Sequence, residues 1–477
     1  MKLSQLIKHI KYVSHKGDLD IEITSLSQDA KRCNKDCLLF CYKGVKFDTH
    51  DFVEQIKQTN FACLVVERYI DIDVPQILVK NTRNVMPKIC NTFFGNVLKK
   101  LKFVGVTGTN GKTTTTSIIY QMLSNAGHKV ALVGTNGIKY DGKSFCSSLT
   151  TPDTIDLFYH FADMAKCKVE YVVMEVSAHA LDLNKVKGIK FDVSIFTNLT
   201  QDHLDYFNNM GSYARCKLKL FQKNYSKYAI INTDDNYGRL FSRVISIPHT
   251  TYGIDDVADN FAIDINMSLS STTFVANVLD NIFDIKTHLL CKFNVYNILA
   301  SMICAIHLGV DNDVIYKTLL TLDHVDGRMN KYVLTNGAVA IIDYAHTPDG
   351  LEQVLTSLRN ITNGRIITIF GCGGDRDRLK RPKMARVVST YSDYSVVTSD
   401  NPRNEDISKI ISNILDGMVG NRYVVEQDRK KAIAKGFELS NKGDVILIAG
   451  KGVENYIDIK GQKIPYSDYD SIKSFLK

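Results

Sequence analysis

The chain has 477 residues, of which 44% are hydrophobic and 23% charged, and a formal net charge of +8. This length predicts about three domains at roughly 150 residues each, and the balance excludes a disordered or fibrous protein. Spread so thinly, the positive charge does not imply nucleic acid; it suits a polyanionic small substrate or a generically basic surface.

From the N-terminus, MKLSQLIKHIKYVSHKGDLD is interrupted by Lys and His and lacks the apolar core of a signal peptide. No run approaches ~18 uncharged apolar residues, so no membrane-spanning helix is expected. The eleven cysteines, with Cys63, Cys304 and Cys372 inside apolar runs, fit reduced thiols and a cytoplasmic setting. Cys33, Cys37 and Cys41 invite a metal reading, but no His or Cys pair follows, and CLLFCY reads as a buried strand.

Three sections follow, 1–97, 98–326 and 327–477. The first alternates short strands (CLLFCYKG, ACLVVE, PQILVK) with helical segments such as Asp51 to Thr59. The second opens on KFVGV and continues through KVALVG, EYVVMEV and VSIFTN, and the third runs through AVAIID, IITIFG, YSVVTS and DVILIAG. Continuous Val/Ile runs separated by helices predict an α/β protein with parallel sheets covered on both faces. Ligands of such sheets bind at the carboxyl ends of strands, where this sequence concentrates Gly, His, Asp and Arg.

The sharpest local signal is strand Leu101–Val106 followed by Thr107-Gly108-Thr109-Asn110-Gly111-Lys112-Thr113-Thr114 and then a helix with Ile118, Ile119, Met122, Leu123 and Ala126 at helical spacing. Gly127 is its predicted stop. Such a loop cradles phosphate: backbone N–H groups and the helix dipole face the anion, Lys112 neutralises it, and the Thr113 hydroxyl can reach Mg²⁺. The usual pattern has Gly five residues before Gly111, where this chain has Val106. Glu175 closes YVVMEV and His203 follows VSIFTN at the same sheet edge; beside a phosphate loop they favour a metal site. Lys217 sits in a predicted helix, YARCKLKLF.

GTNGKTTT is similar to the ATP loop of the Mur ligases, the cell-wall amino-acid ligases. The resemblance runs in order through LTTPDT, MEVSAHAL, TNLTQDHLDYF, KFNVYNILA, DGRMN, DYAHTPDGL, FGCGGDRD, SDNPRNED and GKGVE, nearly the whole chain. It implies an N-terminal UDP-binding domain, a central P-loop-type ATPase domain with a mostly parallel sheet, and a C-terminal Rossmann-like, amino-acid-binding domain. It implies ATP as co-substrate, bound by Gly108 to Thr114, Asn297 at the adenine, Arg328 at the phosphates or ribose, and Asp343 and His346 closing over the nucleotide. Lys112, Glu175, His203 and Lys217 become catalytic, Lys217 as a carbamylated lysine (N6-carboxylysine), and Thr113, Glu175, His203 and Lys217 become the Mg²⁺ group. Carbamylation needs a lysine whose charge is disfavoured by its surroundings.

For the nucleotide-sugar peptide, the resemblance points to Ala30, Thr150, Thr151, Ser177 and Lys185. The sequence departs from the family pattern at Asp29-Ala30-Lys31 (family Asp-Ser-Arg), Leu183 (often Gln), Lys185 (Arg) and Cys291 (Gly). Backbone contacts and the loop Gly44–Phe47 remain available at the uridine, and local adjustment is expected around Cys291. The amino acid falls to Asp400, Asn401, Pro402 and Arg403, with Arg376, Gly450 and Glu454 following neighbouring strands. Two guanidinium groups and one carboxylate match the unreacting end of meso-diaminopimelate; L-lysine lacks the distal carboxylate and would leave Arg403 unpartnered.

The activity implied is ATP-driven addition of meso-diaminopimelate to UDP-N-acetylmuramoyl-L-alanyl-D-glutamate through an acyl phosphate, in peptidoglycan precursor synthesis. The expected partners are these small molecules, with no nucleic acid, no membrane insertion and a monomeric enzyme. The alternatives are an L-lysine-adding ligase, a folylpolyglutamate or cyanophycin synthetase, and a catalytically silent scaffold of the same fold.

Overall fold

Three β-sheets succeed one another along the chain in a computed structural model that describes every residue except Val45, Lys46 and Ser148. The loop Gly44–Phe47 therefore falls partly outside the described residues.

The first sheet has five strands in the order Ser14–Lys16, Gln76–Leu78, Cys63–Val66, Cys37–Phe40, Ser25–Ser27, parallel except for the first pairing. Cys37–Phe40 is wholly buried, which is why CLLF reads as strand. Cys33 Sγ and Cys37 Sγ lie 3.0 Å apart as free thiols, and among the described residues no His, Cys, Asp and Glu cluster is arranged to hold a metal.

The second sheet has eleven strands. Its middle is parallel, in the order Asn260–Met267, His249–Gly253, Ser226–Asn232, Phe191–Phe196, Lys102–Thr107, Tyr171–Glu175, Val130–Gly134. The chain crosses from Lys102–Thr107 to Val130–Gly134, returns to insert Tyr171–Glu175 between them, and then passes to Phe191–Phe196 on the other side of Lys102–Thr107. That strand is thus the topological switch point, and the loop after it lies where such sheets bind ligands. Both ends turn antiparallel, through Gly137–Tyr140 and Lys143–Phe145 at one and Thr272–Val278 and Asn281–Thr287 at the other. One face is covered by helices Lys112–Asn125 and Lys292–His307, packed on each other around Ile118, Met122, Ile298 and Met302. The other carries helix Thr154–Lys166, against which Thr82–Phe93 packs, so the first unit's core is continuous with the second's.

The third sheet has six strands, in the order Asn330–Val333, Val339–Asp343, Val445–Ala449, Ile366–Phe370, Tyr394–Val397, Tyr423–Val425, parallel after the first pairing. A separate hairpin, Tyr456–Ile459 with Gln462–Pro465, follows it. Its place matters at the amino-acid end of the site. Isolated pairing joins Ile459 to Arg403, and Arg403 N–H donates to Asp458 O at 2.9 Å while Lys460 N–H donates to Arg403 O at 2.9 Å.

Candidate active site

The phosphate loop is shaped by close packing against the strand beside it. A Cβ on Gly108 would stand 1.8 Å from Thr197 Oγ1, so no side chain fits there. Gly111 has φ +84° and would meet Asn297 Oδ1 at 2.5 Å; both its conformation and its neighbour require glycine. Thr109 N–H donates to Asn198 O and Asn110 N–H to Asn198 Oδ1, each at 2.9 Å. Helix Lys112–Asn125 then begins, with Thr113 to Thr116 buried. Val106, where the usual motif has glycine, is fully buried in the strand.

Lys112 Nζ curls back onto its own loop, donating to Gly108 O at 2.9 Å and Thr109 O at 2.7 Å. Burial lowers its pKa, against the opposing pull of Glu175 and Asp202. The side chain of Lys217 is buried on helix Met210–Leu218, its Nζ donating to Gly108 O at 2.8 Å and lying 4.7 Å from the Tyr213 ring centroid. Burial, reinforced by the charge of Lys112, holds Lys217 well below the usual lysine range. Such burial disfavours the charged form of the amine, as carbamylation requires.

Glu175 is buried, with Oε1 accepting from Thr135 N–H at 2.8 Å and Oε2 from Thr135 Oγ1 at 3.2 Å. His203 adopts φ +53°, its Nε2 3.3 Å from Asp202 Oδ2 and its ring centroid 4.8 Å from that of His179. The Thr113 hydroxyl accepts from Arg328 Nη2 at 3.0 Å, and the Arg328 guanidinium stacks 4.5 Å from the Tyr344 ring centroid.

A cleft of about 930 Å³ joins these groups to residues of the third sheet. It is lined by Thr109 to Thr114, Thr150, Thr151, Glu175, Ser177, Lys185, His203, Asn297, Arg328, Asp343 and His346, and by Arg376, Asp400, Asn401, Arg403, Gly450 and Glu454. Residues from three predicted subsites therefore share one space. Gly108, Lys217 and Pro402 stand behind the lining, and Ala30 does not belong to it. Asp29 caps a short turn by accepting from Lys31 N–H at 3.0 Å, and Arg32 Nη1 lies 4.0 Å from Asp156 Oδ1.

Several predicted ligands are engaged with the protein itself. The Asn297 carbonyl faces Gly111 and accepts from Thr115 Oγ1 at 3.3 Å, so it braces the loop as well as lining the cleft. Asp343 is buried and accepts from Met329 N–H at 2.9 Å and Ala345 N–H at 2.8 Å, with burial raising its pKa. His346 Nδ1 bonds Tyr344 O at 2.7 Å, and burial and nearby Lys380 push its pKa down to about 4. Thr151 Oγ1 donates to Glu175 O at 2.9 Å and accepts from Ser177 N–H at 3.0 Å. Lys185 is buried and its Nζ pairs with Asp153 Oδ1 at 2.7 Å. Cys291 keeps φ +78°, ψ 149° at the start of helix Lys292–His307. The backbone there holds a conformation that glycine takes freely and a side chain takes at a cost of ~1–3 kcal/mol, instead of relaxing locally as expected.

At the amino-acid end, Arg403 has φ +51° and its Nη1 donates to Gly374 O at 2.7 Å. Glu405 ties the two guanidinium-bearing loops together, accepting from Asp375 N–H at 2.6 Å and from Arg381 Nη2 at 2.9 Å. Sequence reasoning missed Lys451. It is wholly buried, and its Nζ lies 3.0 Å from Asn401 Oδ1, 3.2 Å from Glu454 Oε2 and 3.5 Å from Asp400 Oδ1. Burial alone would raise the Asp400 pKa, but the charges of Lys451 and Arg429 outweigh it and lower the pKa. The only signal available was the lysine inside GKGVE, whose burial no local pattern reveals. Asn401 Nδ2 donates to the same Glu454 oxygen at 2.8 Å, which fixes the carboxylate at the cleft wall.

Comparison with known proteins matches the Mur ligase middle domain over residues 106–305 and the Mur ligase glutamate ligase domain over residues 327–452. The UDP-N-acetylmuramoyl-L-alanyl-D-glutamate–2,6-diaminopimelate ligase of Bacillus cereus is 40% identical, covering 94% of this chain and 92% of that protein. The corresponding ligase 1 of Clostridium acetobutylicum is 39% identical over 100% of this chain and 99% of its own. A solved structure of a UDP-N-acetylmuramoyl-L-alanyl-D-glutamate–2,6-diaminopimelate ligase superposes with a TM-score of 0.70 at 28% identity, covering 99% of this chain and 98% of that one. The chain belongs to the Mur ligase family of ATP-dependent, ADP-forming ligases.

Proposed function

We propose that the protein adds meso-diaminopimelate to UDP-N-acetylmuramoyl-L-alanyl-D-glutamate with conversion of ATP to ADP and phosphate, in peptidoglycan precursor synthesis. The observation that carries the reading is the shared cleft: a phosphate loop at one end, and Arg403, Arg376 and Glu454 at the other. The full-length similarity to diaminopimelate ligases supports the same substrate pair. Residues 1–97, 98–326 and 327–477 serve as UDP-binding, ATP-binding and amino-acid-binding domains.

In the first step a side-chain carboxylate oxygen of D-glutamate attacks the γ-phosphorus of ATP, displacing ADP and leaving an acyl phosphate on the substrate. In the second the diaminopimelate amine attacks the acyl carbon, phosphate departs, and the amine loses its proton. Loop N–H groups, Lys112 and Arg328 hold the phosphates, so most of the acceleration comes from positioning and preorganised charge. Thr150, Thr151, Ser177 and Lys185 line the path for the peptide substrate. Arg403 and Arg376 take the distal carboxylate of diaminopimelate, and Glu454, held by Lys451 and Asn401, takes its ammonium.

The donor set fits Mg²⁺. Thr113 and Glu175 supply hard oxygens, His203 stands at the same edge, and carbamylation of the buried Lys217 amine would add a further carboxylate-like ligand. Mg²⁺ needs few protein ligands, because it keeps waters and shares substrate phosphates. Held by these residues, the ion would supply positive charge to the phosphates of the nucleotide. Because Arg328 donates to the Thr113 hydroxyl, the guanidinium must share or release that oxygen.

Every group invoked lies on one chain, so a monomer suffices. Among the described residues no helix is long and apolar enough to cross a membrane. The proposal includes a cytoplasmic setting, which suits ATP and a nucleotide-sugar substrate. The test is ADP release with each substrate omitted in turn. Release that needs both the UDP-muramoyl-dipeptide and diaminopimelate is expected. Release with neither, or activation by a folate instead, overturns the reading.

A further inference from the structure

Two contacts bring the third unit onto the phosphate loop. One is Arg328 at Thr113. The other comes from the opposite side: Asp349, in the first turn of helix Pro348–Ile361, accepts through Oδ2 from Asn110 Nδ2 at 2.8 Å and from Thr200 Oγ1 at 3.0 Å. One carboxylate oxygen thus ties the third-unit helix to the loop tip and to the segment after strand Phe191–Phe196.

We infer that Asp349 is a positioning residue for the ATP reaction, a carboxylate of the amino-acid-binding domain that sets the tip of the phosphate loop through the Asn110 side chain. The backbone of Asn110 is already fixed from within the central domain, its N–H by Asn198 Oδ1 and its C=O by Thr197 Oγ1 at 2.6 Å. Its amide group is the part left for a second domain to hold. Helix Pro348–Ile361 does not need Asp349 as a cap, because Thr347 Oγ1 accepts from Gly350 N–H at 3.1 Å. Among the described residues no Lys, Arg or His forms an ion pair with Asp349. Burial raises its pKa, while the hydrogen bonds from Thr200 and Asn110 oppose that rise. A part-buried carboxylate that spends both bonds on another domain rewards docking of the two domains, not the folding of either.

The consequence is a coupling: the loop reaches its geometry when the amino-acid-binding domain is docked, so phosphoryl transfer is linked to the presence of the domain that delivers the amine. This rests on reading residues 107–114 as the ATP loop, and not on which amino acid is used.

The test is a double-mutant cycle of Asp349→Ala and Asn110→Ala, read as kcat and KM for ATP with the other two substrates saturating, together with the thermal midpoint. Asp349→Ala should lower kcat/KM for ATP about 10- to 100-fold, the loss of a charge-assisted hydrogen bond, with the midpoint unchanged. The double variant should be no worse than the poorer single variant, because both remove one interaction. Asp349→Asn, which keeps an acceptor oxygen, should recover part of the loss. Additive effects, normal turnover in Asp349→Ala, or a variant that fails to fold would each overturn the inference, the last by showing a structural role. Absence of ATP-dependent ligation in the wild type would instead sink the functional reading.

Discussion

The buried amine of Lys217 and the carbonyl of Gly108, 2.8 Å apart, connect a helix of the central domain to the floor of the phosphate loop. Among the described residues this carbonyl is the amine's one hydrogen-bond acceptor, and burial disfavours its charge. Attack of the amine on CO₂ would turn it into an anion at the floor of the loop, near Lys112. Lys217→Ala should nearly abolish turnover, and added acetate or formate should partly restore it. Wild-type enzyme stripped of CO₂ should lose activity and regain it with bicarbonate. If turnover is unaffected by CO₂ removal and the variant is not rescued, the lysine is a structural brace for the loop.

Among the described residues the hydrogen bonds of Lys112 Nζ go to carbonyls of its own loop. Lys112→Ala should therefore abolish ADP formation while leaving the thermal midpoint within a degree or so of wild type. Near-normal ADP release would remove the loop from the reaction.

Arg403 is presented by backbone pairing with the hairpin that follows the third sheet. Arg403→Ala should reduce kcat/KM for meso-diaminopimelate by about 100-fold or more, the scale of a buried carboxylate losing its guanidinium partner. The rate with L-lysine, expected to be low in the wild type, should barely change, because lysine lacks that carboxylate. A wild type that prefers L-lysine, or equal losses with both amino acids, would exclude the pairing.

How much of this was legible in sequence follows from which features are local. The phosphate loop was, since strand, glycines, Lys-Thr and helix sit within a single stretch. The parallel sheets were, because Val/Ile runs flanked by helices have few other uses. The antiparallel meander at residues 260–287 was missed, although Thr272–Val278 alternates buried and half-buried residues at the strand period. Asp349 and Lys451 stood inside the motifs quoted, but their roles depend on neighbours 239 and 50 residues away, Asn110 and Asn401. No periodicity encodes such a meeting. Asn297 and Asp343 were assigned to the nucleotide by the family resemblance; the fold gives each of them protein partners as well.

Glu405 offers a test in which stability and specificity move together. Its carboxylate accepts from buried Arg381 and from Asp375 N–H, and so holds the loop bearing Arg376 against the loop bearing Arg403. The hydrogen bond from Arg381 keeps its pKa below the ordinary 4.5, outweighing the upward push of burial. A carboxylate lowered on folding stabilises fully above its unfolded pKa and loses that contribution as pH falls through the folded one. Glu405→Gln should therefore lower the thermal midpoint by a constant amount from pH 7 down to about 5, and the gap should narrow at more acid pH. At pH 7 the same variant should raise KM for diaminopimelate by tenfold or so and leave KM for ATP unchanged, because the hydrogen bonds of Glu405 go to Asp375 and Arg381 and not to the phosphate loop. A midpoint difference that stays level through pH 4 would show that the ion pair does not stabilise the fold. Equal changes in both KM values would mean that Glu405 supports the whole cleft and not the amino-acid end alone.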